Sequence, residues 1–461
     1  MQILGRSTWI RLAVALSILV PGCGDDDACD PVANSGCDDN QACELVQGGA
    51  PTCVAAVVVV GRVFDLSTNA GIGGARIVAI DANGAAMSFV ATTAADGSYT
   101  LPVPIARTSE GAPAESFKVT LRADASGYLT FPEGIRPALA FDTSSATLAD
   151  GRYEIKSSLT DVGLLKLAPG TATGTIKGRV AENATNASAL VVAEVNSVGH
   201  TAIAGRDGEY AIFNVPAGAV SVQAYARGYN YNSRSAEVAA GATVAVDLDL
   251  SDAAASTVSG SVSIVNGQLG TGTSVILVVE STFRTMAARG ETPPGLRAPN
   301  PGLAPTINGA FSITGVPAGR YVVLAAFEND NLVRDESGIG GTAILHQTVV
   351  AGQNVDIADS FKVTGSVDIV RPGASGPETI STAPTFTWLD DSSEDRYAVT
   401  VFDSYGSVVW ESGTPKSVVT LQYAGPALTP GMYYQFRVAS IKDPSTVISR
   451  SEDLKGVFVM P

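Results

Sequence analysis

Histidine is nearly absent from this 461-residue chain, occurring only as His200 and His346, and no cysteine follows Cys53. Nucleophilic catalysis needs a base within hydrogen-bond reach of its nucleophile, and a chain with two distant histidines offers little for that chemistry. Neither histidine has a glutamate at the offset that a zinc peptidase requires. Charge is also sparse: charged residues make up 16% of the chain, against roughly 25% in ordinary globular proteins. Acids outnumber bases 45 to 29, and lysine and arginine form no cluster that could neutralise phosphates, which excludes nucleic acid as a partner. Helical periodicity is missing over any useful window, and no cofactor-binding motif occurs.

What the chain does contain is strand material. Hydrophobic residues reach 45% and glycine 48 positions, a composition that suits many short strands joined by tight turns. The reading is all-β, and the length predicts about three to four domains.

The N-terminus carries an address. Arg6 and Arg11 precede a nine-residue apolar stretch, Leu12 to Val20, and Val20-Pro21-Gly22 lead into Cys23. Nine apolar residues are too few to span a bilayer, which takes about 20. The segment resembles a bacterial lipoprotein signal peptide, and that resemblance makes Cys23 the lipidated first residue; the competing reading is an ordinary signal cleaved near Gly22. Removing the two arginines takes the formal charge from −16 to −18. Asp25, Asp26 and Asp27 follow as a solvated tether or, by the same resemblance, a sorting signal.

Setting Cys23 aside leaves Cys29, Cys37, Cys43 and Cys53, an even number in an exported segment, so two disulfides are expected with the pairing open. Metal binding competes, but the spacings do not fit the close pairs of zinc sites. With little apolar material of its own, the segment reads as a cross-linked stalk.

Beyond it a pattern repeats. Gly178-Arg179-Val180 echoes Gly61-Arg62-Val63, and Val258-Ser259-Gly260-Ser261-Val262 opens a third copy. Asp207-Gly208-Glu209-Tyr210 has counterparts in Asp96-Gly97-Ser98-Tyr99 and Asn308-Gly309-Ala310-Phe311. The Asp-Gly dipeptide is a hairpin signal, because glycine takes positive φ at no steric cost. Val215-Pro216-Ala217-Gly218 matches Val316-Pro317-Ala318-Gly319, while Gly228-Tyr229 matches Gly127-Tyr128. The first copy has only Val103-Pro104, and the third lacks Gly-Tyr. Five prolines between Arg289 and Pro305 predict an exposed loop in the third copy.

These copies resemble the carboxypeptidase regulatory-like domain, a small transthyretin-like β-sandwich, here without the catalytic domain. The last stretch differs. It carries Pro384-Thr385-Phe386-Thr387-Trp388 and Leu428-Thr429-Pro430-Gly431-Met432-Tyr433-Tyr434. It resembles a fibronectin type III-like domain, which places Trp388 in the core and makes Tyr434 a tyrosine corner, its ring buried and its hydroxyl bonded to nearby backbone.

The expected division is a signal peptide over 1–22, the stalk over 23–54, regulatory-like domains over 55–170, 171–252 and 253–363, and the fibronectin-like domain over 364–461. The whole is expected to form a rod of tandem β-sandwiches.

Few residues suggest a ligand. Tyr229 and Tyr231, with Tyr225 before them and interleaved with Asn230 and Asn232, could stack on and hydrogen-bond a sugar; the competing reading makes Gly-Tyr part of the fold. Asp390, Asp391, Glu394 and Asp395 form the densest acidic run and read as a solvated loop. These acids, or Asp330 and Asp335, would be the candidates for calcium, though no EF-hand-like loop occurs.

The functional expectation is a non-enzymatic, lipid-anchored protein with no cofactor and no metal, at the outer membrane or cell surface of a bacterium. Its partners would be the membrane and a polysaccharide or another envelope protein. The role would be surface display, adhesion or envelope contact, with polysaccharide binding as the alternative.

Overall fold

Each repeated opening glycine meets an aromatic ring, and that pairing builds the sandwiches. In the computed structural model, which describes residues 29–461 apart from 32–33, 82, 114–117, 133–138, 182–187, 266, 268–270, 286–288, 302, 326–330, 335–342, 359, 443 and 453, Gly61 lies opposite Tyr99 across an antiparallel pair. Gly178 faces Tyr210 and Gly260 faces Phe311 in the same way. The Tyr99 hydroxyl donates to Thr160 O and the Tyr210 hydroxyl to Val246 O, both at 2.6 Å. A Cβ on Gly61 would stand 2.0 Å from Thr160 O, and one on Gly178 would stand 1.7 Å from Val246 O. Only glycine lets the neighbouring segment approach that closely.

Among the described residues, all regular structure beyond three short 3-10 turns is β, and no helix is long and apolar enough to cross a membrane. The first unit packs a sheet centred on Val57–Asp65 against one centred on Arg76–Ile80 and Lys118–Asp124. In the second, Thr173–Arg179 lies between Glu209–Pro216 and Thr243–Ala245, facing a four-stranded sheet built on Leu190–Val195 and Gly218–Tyr225. The third repeats this around Ser256–Val265 and Val275–Val279. Its strand Phe361–Gly365 runs two residues past the boundary expected at 363. The fourth sets a three-stranded sheet against a six-stranded one centred on Tyr433–Lys442. There Trp388 is buried, and the Tyr434 hydroxyl accepts from Thr429 N–H at 2.8 Å.

The remaining motifs join one unit to the next. In the first unit, the Gly127-Tyr128 turn turns its Gly127 N–H toward the second, where Asn214 Oδ1 accepts it at 2.7 Å. Asn214 Nδ2 returns bonds to Ala125 O and Tyr128 O at 3.0 and 2.7 Å. In the second unit, Gly228 N–H donates at 2.7 Å to Gly315 O of the third. Asn214 and Gly315 occupy the same place, immediately before Val-Pro-Ala-Gly, and both are left-handed, with φ of 58° and 74°. The first unit has no predecessor and lacks Val-Pro-Ala-Gly; the third has no repeat after it and lacks Gly-Tyr.

Three expectations need correction. The chain is not an extended rod, because the fourth unit returns to the first: the Phe64 and Tyr405 rings meet edge-on at 5.6 Å, and Tyr433 packs against the first core. The cysteine-rich segment is not a free stalk. Its hairpin, Gln41–Leu45 with Pro51–Ala55, is docked on the first unit, where buried Glu44 pairs with buried Arg107 at 2.5 Å. The cysteines pair as Cys29–Cys43 and Cys37–Cys53. Lastly, the proline-rich insertion is not an exposed loop: Leu296 and Ala298 are buried, and Arg297–Ala298 adds a strand to the third unit. Apolar side chains at Leu296 and Ala298 outweigh the loss of strand donors at the prolines.

A folded-back arrangement has a measurable size. Small-angle scattering from the chain lacking residues 1–23 is expected to give a radius of gyration near the compact-globule value of about 22 Å; a string of four sandwiches would give a much larger one.

Candidate functional site

Where the first three units meet, the structure leaves a cavity of about 260 Å³ lined by residues of all three and by Leu454 of the fourth. Its polar wall is organised by Arg122, at 2% exposure. This residue sits on Lys118–Asp124 of the first unit. Nε and Nη2 bind Asp124 in a fork at 2.9 and 3.0 Å. Nη2 also donates to the Thr201 carbonyl and hydroxyl of the second unit at 3.1 and 2.9 Å. Nη1 lies 2.7 Å from Glu291 Oε2 of the third. Burial on its own would lower the pKa of this guanidinium, but the Asp124 and Glu291 carboxylates raise it on balance, so the charge stays in place.

The second polar group is His200, on the strand Val198–Ile203. Burial first, and then the Arg284 guanidinium, lower its pKa below the ordinary value of 6.5, which keeps the ring neutral at neutral pH. The lining also includes apolar side chains, among them Ile276, Val278 and Leu324.

The cavity suits holding better than chemistry. Asp124 and Glu291 both bind Arg122, which ties up the carboxylate pair that glycoside cleavage would need. The Thr282 hydroxyl donates to Val279 O at 2.7 Å and accepts from Glu291 N–H at 2.9 Å. The other histidine, His346, is exposed and lies 2.6 Å from Glu280 in the third unit.

The tyrosine pair expected to bind sugar is split by the fold. Tyr231 is 5% exposed and belongs to the second core, so it has no face open for stacking. Tyr229 packs half-buried against the same core. The acidic run is a loop that is solvated only in part, with Asp390 exposed. Glu394 is fully buried and accepts from Ser417 N–H at 2.8 Å, while Asp391 accepts from the Ser440 hydroxyl at 2.6 Å. Among the described residues, the one group with metal-ligand spacing is Cys29, Cys37 and Cys53, whose sulfurs are engaged in disulfides. Cys23, Asp330 and Asp335 lie outside the described residues. The junction cavity escaped sequence reading because its walls come from three repeats; the one local signal was a bulky charged residue, Arg122, between the apolar Leu121 and Ala123.

No protein-family model and no curated protein matches this chain. Among solved structures it is similar to the Bacillus anthracis TIE protein, at 11% identity and a TM-score of 0.16 over 84% of this chain. The chain spans 65% of that protein's length. It is similar also to a streptococcal ancillary pilin, at 13% identity and a TM-score of 0.17, covering 67% of this chain and 99% of the pilin. A DUF3823 family protein from Bacteroides ovatus matches 44% of this chain and 98% of its own, at 14% identity and a TM-score of 0.20.

Two predictions test the junction. Arg122→Met leaves Asp124 and Glu291 without their shared cation and is expected to cost about 3 kcal/mol, read by urea unfolding, with Asp124→Asn recovering part of the loss. His200 has a lowered folded pKa, so the unfolded chain binds its proton more readily. Stability is therefore expected to fall as pH drops below 6.5 and through the lowered value. His200→Gln should show a shallower loss in unfolding curves taken from pH 8 to 5.

Proposed function

We propose that the chain is an exported, non-enzymatic surface protein, anchored by a lipid on Cys23, which presents its sandwiches for display, adhesion or envelope contact. In this reading three units are carboxypeptidase regulatory-like and the fourth is fibronectin type III-like. The observation that carries the proposal is how the polar side chains are used. Arg122, Asp124, Glu291 and Thr201 hold units to one another, and Arg107 and Glu44 hold the N-terminal hairpin to the first unit. Side chains locked into joints rigidify a scaffold, whereas catalysis needs an acid, base or nucleophile that can change its bonding. Two disulfides in the N-terminal hairpin fit an oxidising compartment.

Polysaccharide binding stays as the second reading on one observation: the junction cavity is lined by both polar and apolar side chains, the usual make-up of a small-ligand pocket. Its volume would take one sugar residue rather than a chain.

The anchor is tested by metabolic labelling with a fatty-acid probe. Label and membrane association are expected in the wild type, and both should be lost in Cys23→Ala; label retained in that variant would overturn the assignment. Saturable binding of an envelope polysaccharide, abolished by His200→Trp in the cavity, would favour the second reading over the first.

A further inference from the structure

The joint between the third and fourth units lacks the Gly-Tyr turn, and a different set of groups meets there. Asn331 stands immediately before the strand Leu332–Arg334 of the third unit, in the left-handed region with φ of 64°. Lys455 lies just before the last strand of the fourth, Val457–Val459. The Lys455 ammonium donates to Asn331 Oδ1 at 2.8 Å and lies 2.6 Å from Glu452 Oε2. Glu452 Oε1 accepts from Asn331 N–H at 2.7 Å. The Glu452 side chain is 1% exposed and that of Lys455 17%.

We propose that Lys455 and Asn331 form an intramolecular isopeptide bond, with Glu452 as the proton shuttle. The three parts of an acyl transfer are in contact: an amine, a carboxamide and a buried carboxyl group. The first step moves one proton from the Lys455 ammonium to the Glu452 carboxylate it touches and leaves a free amine beside the amide. The Nζ lone pair then attacks Asn331 Cγ, and Glu452 delivers its proton to the departing amide nitrogen while the proton left on Nζ returns to the carboxylate. One carbon–nitrogen bond forms between Nζ and Cγ, the Cγ–Nδ2 bond breaks, and ammonia leaves. No oxidant or reductant is required.

The role of the bond follows from its place. It would tie together units that share a backbone bond from Ser366 N–H to Asn331 O but have no Gly-Tyr socket. Its ends are 124 residues apart, so it would hold the fourth unit in place under load.

Mass spectrometry on the purified wild-type chain decides the matter. The intact mass is expected to fall short of that of the processed, doubly disulfide-bonded chain by one ammonia, and a tryptic digest should contain a branched peptide joining the Asn331 and Lys455 segments. Lys455→Arg, Asn331→Ala and Glu452→Gln are each expected at full mass with the two segments separate. A wild-type chain at full mass with unlinked peptides would overturn the proposal without reference to any variant. So would a loss of ammonia that persists in Lys455→Arg, since it would belong to another asparagine.

Discussion

A glycine N–H that points out of its own sandwich sets the assembly of this protein. Gly127 and Gly228 each close a tight turn in the left-handed region, and each offers its amide hydrogen to the unit that follows. Both turns are exposed, so each bond contributes about 0.5–1.5 kcal/mol and acts chiefly by fixing where the successor's acceptor lies. Asn214 and Gly315 supply that acceptor from the same point of the repeat, one through its side chain and the other through its carbonyl. The Gly-Tyr and Val-Pro-Ala-Gly motifs are thus two halves of one joint, and their absence at opposite ends of the array has a physical cause.

Once the joint sets the angle between neighbours, the first and third units come close enough to share Arg122. A buried guanidinium is costly alone, yet here each side of the fork meets a partner from a different unit. That makes the cluster sensitive to the spacing of all three, and it places the cavity at their junction. Val78 and Ile80 of the first unit, together with Tyr225 of the second, join one apolar cluster with the third core. The polar hub is therefore seated in a shared hydrophobic contact rather than exposed at a rim.

Much of the fold was legible in the chain. The alternation of Val220 to Tyr225, the Asp-Gly turns and the opening glycines all act within a few residues, and short-range sterics are enough to read them. The core roles of Trp388 and Tyr434 were legible for the same reason. Tyr231 was misread because sequence shows that a ring is present but not which sheet face it occupies; paired with Leu250, it turns into the core. Glu394 was taken for a solvent residue because a carboxylate in an acidic run usually is one, and only the fold brings Ser417 to it.

Sequence alone determined the all-β class, the repeat and its turn chemistry, since these follow from backbone sterics and from patterns of two to eight residues. Tertiary structure decided the disulfide pairing, the docking of the N-terminal hairpin, the return of Tyr405 to Phe64, and the meeting of Arg122 with Thr201 and Glu291. Those contacts join residues 14 to 341 positions apart, and no local preference encodes which distant partner satisfies a buried charge or an unpaired hydrogen-bond donor. The opening glycines stand between the two cases. Their recurrence was visible in the chain, but the reason for it at Gly61 and Gly178, a carbonyl from the neighbouring segment within 2.0 Å of a missing Cβ, exists only when the sandwich is closed.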